Sequence, residues 1–558
     1  MKKPLLELDP DEVFIDSSNL PDFNTAKLEG QIERPLNKRM LYVVIFCLMV
    51  VTLIYLGRTF YLQINRGPAF ALRSESNTLR ELTIFAERGV IYDRQGKQLA
   101  WNDPDRVYRS GEALAHVLGY VSYPKAEELN GDRDPKDLIG RAGSEKLFDH
   151  WLAGTHGHKI EEVDVRGKIH SDYLYQEPKN GNDLTLSIDT EVQEKLFELI
   201  KVTAEERGFR GGSGVILDLQ TGELLALTSY PSYDPEVMSS GKEAEKIKEF
   251  LTNPRTPFLN RATAGLYPPG STIKPMMAIA ALNEKIIVPE TQILSTGSLV
   301  IPNPYNPDQP SVFRDWKAHG LVNMWRALAI SSDVYFYEIG GGFKDQLGLG
   351  IKKIDEYAKL FGLAQTTGFP LEGEDLGTIP TPEWKEKVFG EPWRLGNTYH
   401  TAIGQYGFQV TPLQITRAIG AIARGALITP TIVAANQATE AEVTPIDIPE
   451  AYFKIVREGM RLAVTEGTAS GLSVPYVKIA AKTGTAEIGS EKKETHSWIT
   501  GFFPYETPRY AFTITMERGP STNLIGGVFI MRQLFDWLKT HKPEYLGLPP
   551  IDPEEEIE

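Results

Sequence analysis

The segment that most constrains this chain is Met40 to Leu56, MLYVVIFCLMVVTLIYL, an uncharged run whose one strongly polar interruption is the Thr52 hydroxyl. At ~1.5 Å per residue the run spans about 25 Å as a helix, slightly short of a ~30 Å hydrocarbon core. Arg39 and Arg58 bracket it and can snorkel, and Tyr42, Tyr55 and Tyr61 suit the two interfaces. Most helices of a globular protein keep a polar face, and this run shows none, which favours a membrane span over a buried core helix. A cleavable leader would carry a small-x-small site just past its apolar stretch, whereas Ala69-Phe70-Ala71 lies well downstream. The reading is an uncleaved single-pass anchor over 40–57. Arg34, Lys38 and Arg39 precede the run and Arg58 and Arg66 follow it, a slight bias towards a cytoplasmic N-terminus with the rest of the chain outside.

Around that anchor the chain is globular in character, with 558 residues that are 41% hydrophobic and 24% charged. Lys and Arg total 59 against 74 Asp and Glu, a net charge of −15, so the basic surplus of a nucleic-acid-binding protein is missing. The single cysteine excludes an internal disulfide and a thiolate zinc cage, and fits either a reducing compartment or an oxidising one where cysteine is avoided. The nine histidines are scattered, His156-x-His158 sits in a glycine-rich turn, and no metal is expected. Gly348-Leu349-Gly350 lacks the third glycine and the preceding strand of a dinucleotide site, so no cofactor is expected either.

The domain reading is a mobile tail over 1–39, the anchor, and a membrane-proximal region over 58–180 built of short strands and turns. A catalytic domain over 181–542 and an acidic tail over 543–558 follow. Asp93 and Arg94 are expected to pair with each other. In the catalytic domain Leu184–Ile188 alternates like a strand, 191–205 has helical period, and Val215–Leu217 with Leu224–Leu227 reads as a hairpin across Gln220-Thr221-Gly222. Trp498–Phe503 and Tyr510–Met516 are strand-like, and Phe529–Leu538 is an amphipathic helix. Strands and a helix at both ends of a largely helical middle imply a mixed α/β (α+β) fold, a central antiparallel sheet covered by helices.

The chemistry starts at Tyr267-Pro268-Pro269-Gly270-Ser271-Thr272-Ile273-Lys274-Pro275. Proline is tolerated only in a helix's first turn, so Pro275 sets a helix start near Ser271, and residues three apart share a face. That puts the Lys274 amine beside the Ser271 hydroxyl, where a lysine can act as base for a nucleophilic serine and a helix N-terminus can hold an oxyanion. Alone, S-x-x-K is equally what a capping serine and a surface lysine produce. Two further elements add to it: Ser331-Ser332-Asp333, a hydroxyl and a carboxylate on a tight turn, and Ala481-Lys482-Thr483-Gly484-Thr485, a strand carrying a lysine and hydroxyls around a glycine that allows close backbone approach. They follow Ser271 at separations of 60 and then 151 residues, in the order found in β-lactamases and penicillin-binding proteins. His496 and Trp498, just beyond, are read as strand packing.

With these residues in view the chain resembles the class B penicillin-binding proteins, monofunctional peptidoglycan transpeptidases, from the anchor to about residue 540. Arg88-Gly89-Val90-Ile91-Tyr92-Asp93-Arg94, Ile403-Gly404-Gln405 and Thr411-Pro412-Leu413-Gln414 support the resemblance. It implies a pedestal and dimerisation-type region followed by a serine acyl-transferase domain. Ser271 would be the nucleophile, Lys274 the general base, Ser331 a proton relay and Lys482 an electrostatic partner. Thr483, Gly484 and Thr485 with Asp333 would line the substrate site, and the N–H groups of Ser271 and Thr485 the oxyanion hole. Many relatives have asparagine where this chain has Asp333, and an ionised carboxylate cannot donate a hydrogen bond to the substrate amide. The resemblance further implies stem peptides ending in D-Ala-D-Ala and β-lactams as ligands. Its implied setting is an inner-membrane cell-wall synthesis complex with a glycosyltransferase partner, with no nucleic acid. Ser331-Ser332-Asp333 before Tyr335-Phe336-Tyr337, with Phe313-Arg314-Asp315-Trp316-Lys317 and His319-Gly320 upstream, resembles the elongation type. The alternatives are a division-specific transpeptidase, a hydrolase using the same acyl-enzyme, and a β-lactam sensor or scaffold.

Overall fold

A computed structural model describes residues 38–549 apart from 130–133, 164–167, 304–305, 307, 438–439 and 490. The expected tail over 1–39 lies outside the described residues except for its last two positions, and so does 550–558. The described residues divide into two compact units, 38–83 with 158–176, and 84–157 with 177–549.

In the first unit α1 (Lys38–Phe60) holds the apolar run and continues as a wider turn over Tyr61–Asn65. It is the one helix among the described residues long and apolar enough to cross a membrane, 28 residues or about 42 Å with its extension. It overruns the expected 40–57, the helix running on through Gly57 and Arg58 despite the stop signal they form. The Thr52 hydroxyl donates to the Leu48 carbonyl at 2.7 Å, which satisfies it without water. Arg58 and Arg66 both sit 5.7 Å from the Tyr61 ring, a cation–aromatic anchor just past the apolar run. Gly67–Thr78 is a further helix, and Leu79–Ile84, Gly157–Val163 and Ile169–Gln176 form a three-stranded sheet.

The second unit is built on five antiparallel strands. Helix α2 (Thr190–Arg207) is started by Asp189, whose carboxylate accepts from the N–H groups of Glu191 and Val192, and stopped by Gly208 in the left-handed region. The hairpin β1 (Gly211–Asp218) and β2 (Leu224–Tyr230) comes next, as the glycine turn implies. A helical middle supplies α3 (Lys274–Asn283), α4 (Met324–Ile330), α5 (Asp333–Gly341), α6 (Pro412–Arg424) and α7 (Glu450–Thr465). The chain returns to the sheet as β3 (Ala480–Ile488), β4 (Glu494–Phe503) and β5 (Tyr510–Pro520), then covers it with α8 (Gly527–His541). The strand order is β2-β1-β5-β4-β3, so β3 is an edge.

Alternation along the strands sorts side chains between two cores. Ile216, Ile499, Ile514 and Phe512 join Leu196 and Ile200 of α2 and Leu534 and Phe535 of α8 on one face. Val215, Leu217, Trp498 and Phe502 join Ile415, Ile419 and Ile422 of α6 on the other. Each fully buried aliphatic contributes ~1.5–3 kcal/mol, so a sheet buried on both faces is a rigid frame for whatever its edge carries.

Three expectations need correction. Only Leu184–Thr185 is strand, because Asp189 already serves as a helix cap. Asp93 and Arg94 do not pair. Asp93 accepts from the N–H groups of Gln95 and Lys97 and the Thr190 hydroxyl, while Arg94 reaches Glu223 at 3.3 Å. The chain is also still ordered past 542, since Pro543–Leu546 forms a turn with Tyr545 and Leu546 buried and the Tyr545 hydroxyl on Asp189 at 2.7 Å. The buried arginine of the Arg88-Gly89-Val90 stretch bonds Glu145 at 2.7 Å, and Arg106 bonds the other oxygen of that carboxylate at 2.8 Å.

Candidate active site

Ser271 stands in a tight turn, Gly270–Ile273, that runs straight into α3 at Lys274, with Pro275 in the first helical turn. Backbone fixes the turn. The Gly270 N–H donates to the Gly404 carbonyl at 2.9 Å, and Thr272 donates from its hydroxyl to the Pro269 carbonyl at 2.8 Å. The Trp498 indole N–H on β4 holds the Pro268 carbonyl at 3.1 Å. Shape fixes it too. A Cβ on Gly404 would stand 2.2 Å from the Gly270 oxygen, and one on Gly270 would stand 2.9 Å from the Thr485 oxygen. Both glycines have positive φ, +75° and +54°, so only glycine suits either place.

Gly484 belongs to the same lock, which revises its expected role. The space a Cβ would need there is filled by the protein itself, Thr272 Cγ2 at 2.8 Å and the Pro269 oxygen at 3.0 Å. The third-motif glycine admits the nucleophile turn rather than leaving room for a substrate backbone.

The second turn closes α4. Ser331 adopts the left-handed conformation at φ 60°, unusual for a residue with a side chain, and Ser332 then starts α5 by accepting from the Tyr335 N–H. The Ser331 hydroxyl is brought between two fully buried lysines. Lys482 Nζ lies 2.7 Å from Ser331 Oγ and 2.9 Å from the Thr483 carbonyl. Lys274 Nζ lies 3.4 Å from Ser331 Oγ, donates to the Ser331 carbonyl at 2.8 Å, and pairs with Asp333 at 2.6 Å. Its partners are therefore the second motif, not Ser271, whose hydroxyl makes no hydrogen bond among the described residues. Burial and the neighbouring Lys274 charge drive Lys482 well below the ordinary lysine range, offset in part by Asp333.

On β3 the alternation puts Lys482 and Gly484 inward, leaves Thr483 half-buried with its hydroxyl 2.6 Å from that of Thr468, and exposes Thr485. Thr468 has no signal in the sequence, since it lies in a turn 15 residues upstream. His496 and Trp498 are buried on β4 as expected; the His496 ring packs edge-on against Tyr267 at 5.0 Å, and burial pulls it down to about 4, so it is neutral at pH 7. His156, half of the histidine pair, bonds Asp137 at 2.7 Å, and no cluster able to hold a metal occurs among the described residues.

Comparison with known proteins bears on the family and the fold. Residues 212–528 match the penicillin binding protein transpeptidase domain and residues 102–186 the penicillin-binding protein dimerisation domain. The peptidoglycan D,D-transpeptidases MrdA of Acinetobacter baumannii and Escherichia coli (strain K12) are 33% and 32% identical over 467 residues, 78% and 77% of this chain. The chain spans 66% and 70% of their lengths. The penicillin-binding protein PBP2 of Helicobacter pylori, solved in complex with MreC, superposes with a TM-score of 0.70 at 26% identity, over 83% of this chain and 98% of that one.

Proposed function

The chain belongs to the penicillin-binding protein transpeptidases, and from that premise we propose that it cross-links peptidoglycan through an acyl-enzyme on Ser271. The observation that carries the assignment is the Ser331 hydroxyl held between the Lys274 and Lys482 amines, on the helix-and-strand frame that carries Ser271. The Ser331 hydroxyl, within reach of both amines, is the route by which a proton leaves Lys274. Lys274, now neutral, accepts the Ser271 proton as Oγ attacks the carbonyl carbon of the penultimate D-alanine. The N–H groups of Ser271 and Thr485 receive the oxyanion, an arrangement whose single donors are worth about 10²–10³ in rate. Collapse breaks the D-Ala–D-Ala amide, the leaving nitrogen takes the proton from Lys274, and D-alanine departs. A neighbouring stem's amine then attacks the ester carbonyl and gives up a proton to the same base, which returns it to Ser271 Oγ as the ester C–O bond breaks.

The edge position of β3 supports binding of the donor peptide as an added strand, with Lys482 and the hydroxyls of Thr483 and Thr485 on its terminal carboxylate. A β-lactam would enter the same way and stay as a stable ester. Asp333, engaged by Lys274, acts on the lysine and not as a donor to substrate. Likeness to a PBP2 solved with MreC, and to a chain of a peptidoglycan synthase complex that coordinates polymerization and crosslinking, supports a role in elongation within an inner-membrane complex that includes a glycosyltransferase. The arrangement across the membrane is N-terminus inside, 40–57 as anchor, pedestal 58–180 and catalytic domain 181–542 outside. Intact-protein mass spectrometry after exposure to benzylpenicillin tests the core of this reading. One adduct is expected on the wild type and none on Ser271→Ala; an adduct persisting on the alanine variant would overturn it.

A further inference from the structure

The Ser331 turn carries an uncommon backbone conformation, and something outside the turn must hold it. The side chain and backbone that do so come from Asp315 and Trp316. The Asp315 carboxylate is wholly buried, and one of its oxygens accepts from the Ser332 hydroxyl at 2.8 Å, the Val334 N–H at 3.0 Å and the Ser295 hydroxyl at 3.2 Å. The other oxygen takes the Trp316 N–H at 2.9 Å and faces the buried His319 ring at 3.4 Å. The Trp316 indole N–H grips the other side of the turn, on the Ile330 carbonyl at 3.1 Å. Ser331 is therefore clamped between its two neighbours, Ile330 through Trp316 and Ser332 through Asp315.

We infer that Asp315 is a positioning residue for the acylation chemistry: it fixes the Ser331 turn so that the Ser331 hydroxyl bridges the two active-site lysines. Three features separate this from ordinary core packing. The carboxylate bonds the residue directly after Ser331 and the first turn of α5, and it makes no bond to the five-stranded sheet. Burial pushes Asp315 up, but the N–H groups of Val334 and Asp333, the Ser332 hydroxyl and the Lys274 charge more than offset it, so it stays ionised. His319 is held below its ordinary value by burial despite the neighbouring Asp315. Asp315 is thus a second buried negative charge behind the Lys274–Asp333 pair, where a charge-assisted bond is about twice as strong as a neutral one.

The inference rests on the relay role proposed for Ser331, and the test separates the two. Acylation by benzylpenicillin is followed by stopped-flow and mass spectrometry, resolving the initial binding constant from the acylation rate, for Asp315→Asn, Trp316→Phe, Ser331→Ala and the Asp315→Asn/Ser331→Ala pair. Asp315→Asn keeps the shape and one acceptor oxygen; its acylation rate is expected to fall about 10- to 100-fold with initial binding unchanged. Trp316→Phe, which loses only the indole N–H, should fall less. In the Ser331→Ala background Asp315→Asn should add little, because the group it positions is gone. A normal rate for Ser331→Ala would defeat the relay reading itself. With Ser331→Ala slow, a wild-type rate for Asp315→Asn, or an equal further loss in the double variant, would overturn the positioning role of Asp315.

Discussion

Two turns flank Lys274, one running into it along the chain and the other bonding its amine, and they differ in what holds them. The Ser271 turn is held by neutral hydrogen bonds and by shape. Three glycines, 270, 404 and 484, abut backbone or side-chain atoms so closely that no side chain fits at any of them. The Ser331 turn is held by charge, through Asp315 and the Lys274–Asp333 pair, and its unusual φ sits on a serine where a glycine would cost nothing. The difference follows from what each serine must do. A nucleophile needs one fixed position against an oxyanion hole, which steric contact provides. A relay needs polarity on both sides of its hydroxyl, and the groups that supply it also hold the turn.

Breaking the shape lock should have the largest effect. Gly404→Ala puts a Cβ 2.2 Å from the Gly270 oxygen at a φ of +75°, which is expected to cost about 2–5 kcal/mol in urea unfolding and over a hundredfold in penicillin acylation. Wild-type acylation by this variant would show that the glycine contacts do not position Ser271. Weakening the charge clamp should cost less. Asp333→Asn leaves the buried Lys274 amine an acceptor but not its directly paired counter-charge, at about 1–3 kcal/mol given that Asp333 is 20% exposed; unchanged unfolding would mean that the pair adds nothing to the turn.

The smallest effect sharpens the comparison by pH. Glu338, on the helix that follows the charge-held turn, is pushed up by burial from 4.5 to about 7, with Lys344 offsetting in part. Because the folded value lies above the unfolded one, the native state binds the proton more tightly, and stability falls as pH rises from 4.5 through 7. Glu338→Gln should therefore gain about 1–2 kcal/mol at pH 8, allowing for partial solvent screening, and nothing near pH 4.5. Thermal melts at both pH values read it, and an equal gain at both would remove the titration from the explanation.

The same contrast explains what could be read from the sequence. Ser271 and Lys274 are legible because proline and glycine announce a helix start and a tight approach within nine residues. The β1–β2 hairpin is legible for the same local reason, and the sheet and its helices follow from periodicity. Asp315 stands out in the sequence only through a family resemblance, since a clamp on a turn 16 residues later leaves no period or spacing to detect. Gly484 reads in sequence as room for a substrate, because a glycine's neighbours along the chain cannot say what fills its empty side. Asp93 and Arg94, adjacent in sequence, point to separate partners, Thr190 and Glu223, that only the folded chain supplies.

The most direct test of the account is transfer itself. The full-length chain in detergent is given a stem peptide ending in D-Ala-D-Ala together with a stem peptide bearing a free side-chain amine, and products are read by mass spectrometry with D-alanine quantified. The account predicts one D-alanine released for each new amide between the peptides, and neither product from Ser271→Ala. Release of D-alanine from the Ser271→Ala variant, or release matched only by hydrolysed donor whatever the amine concentration, would contradict it.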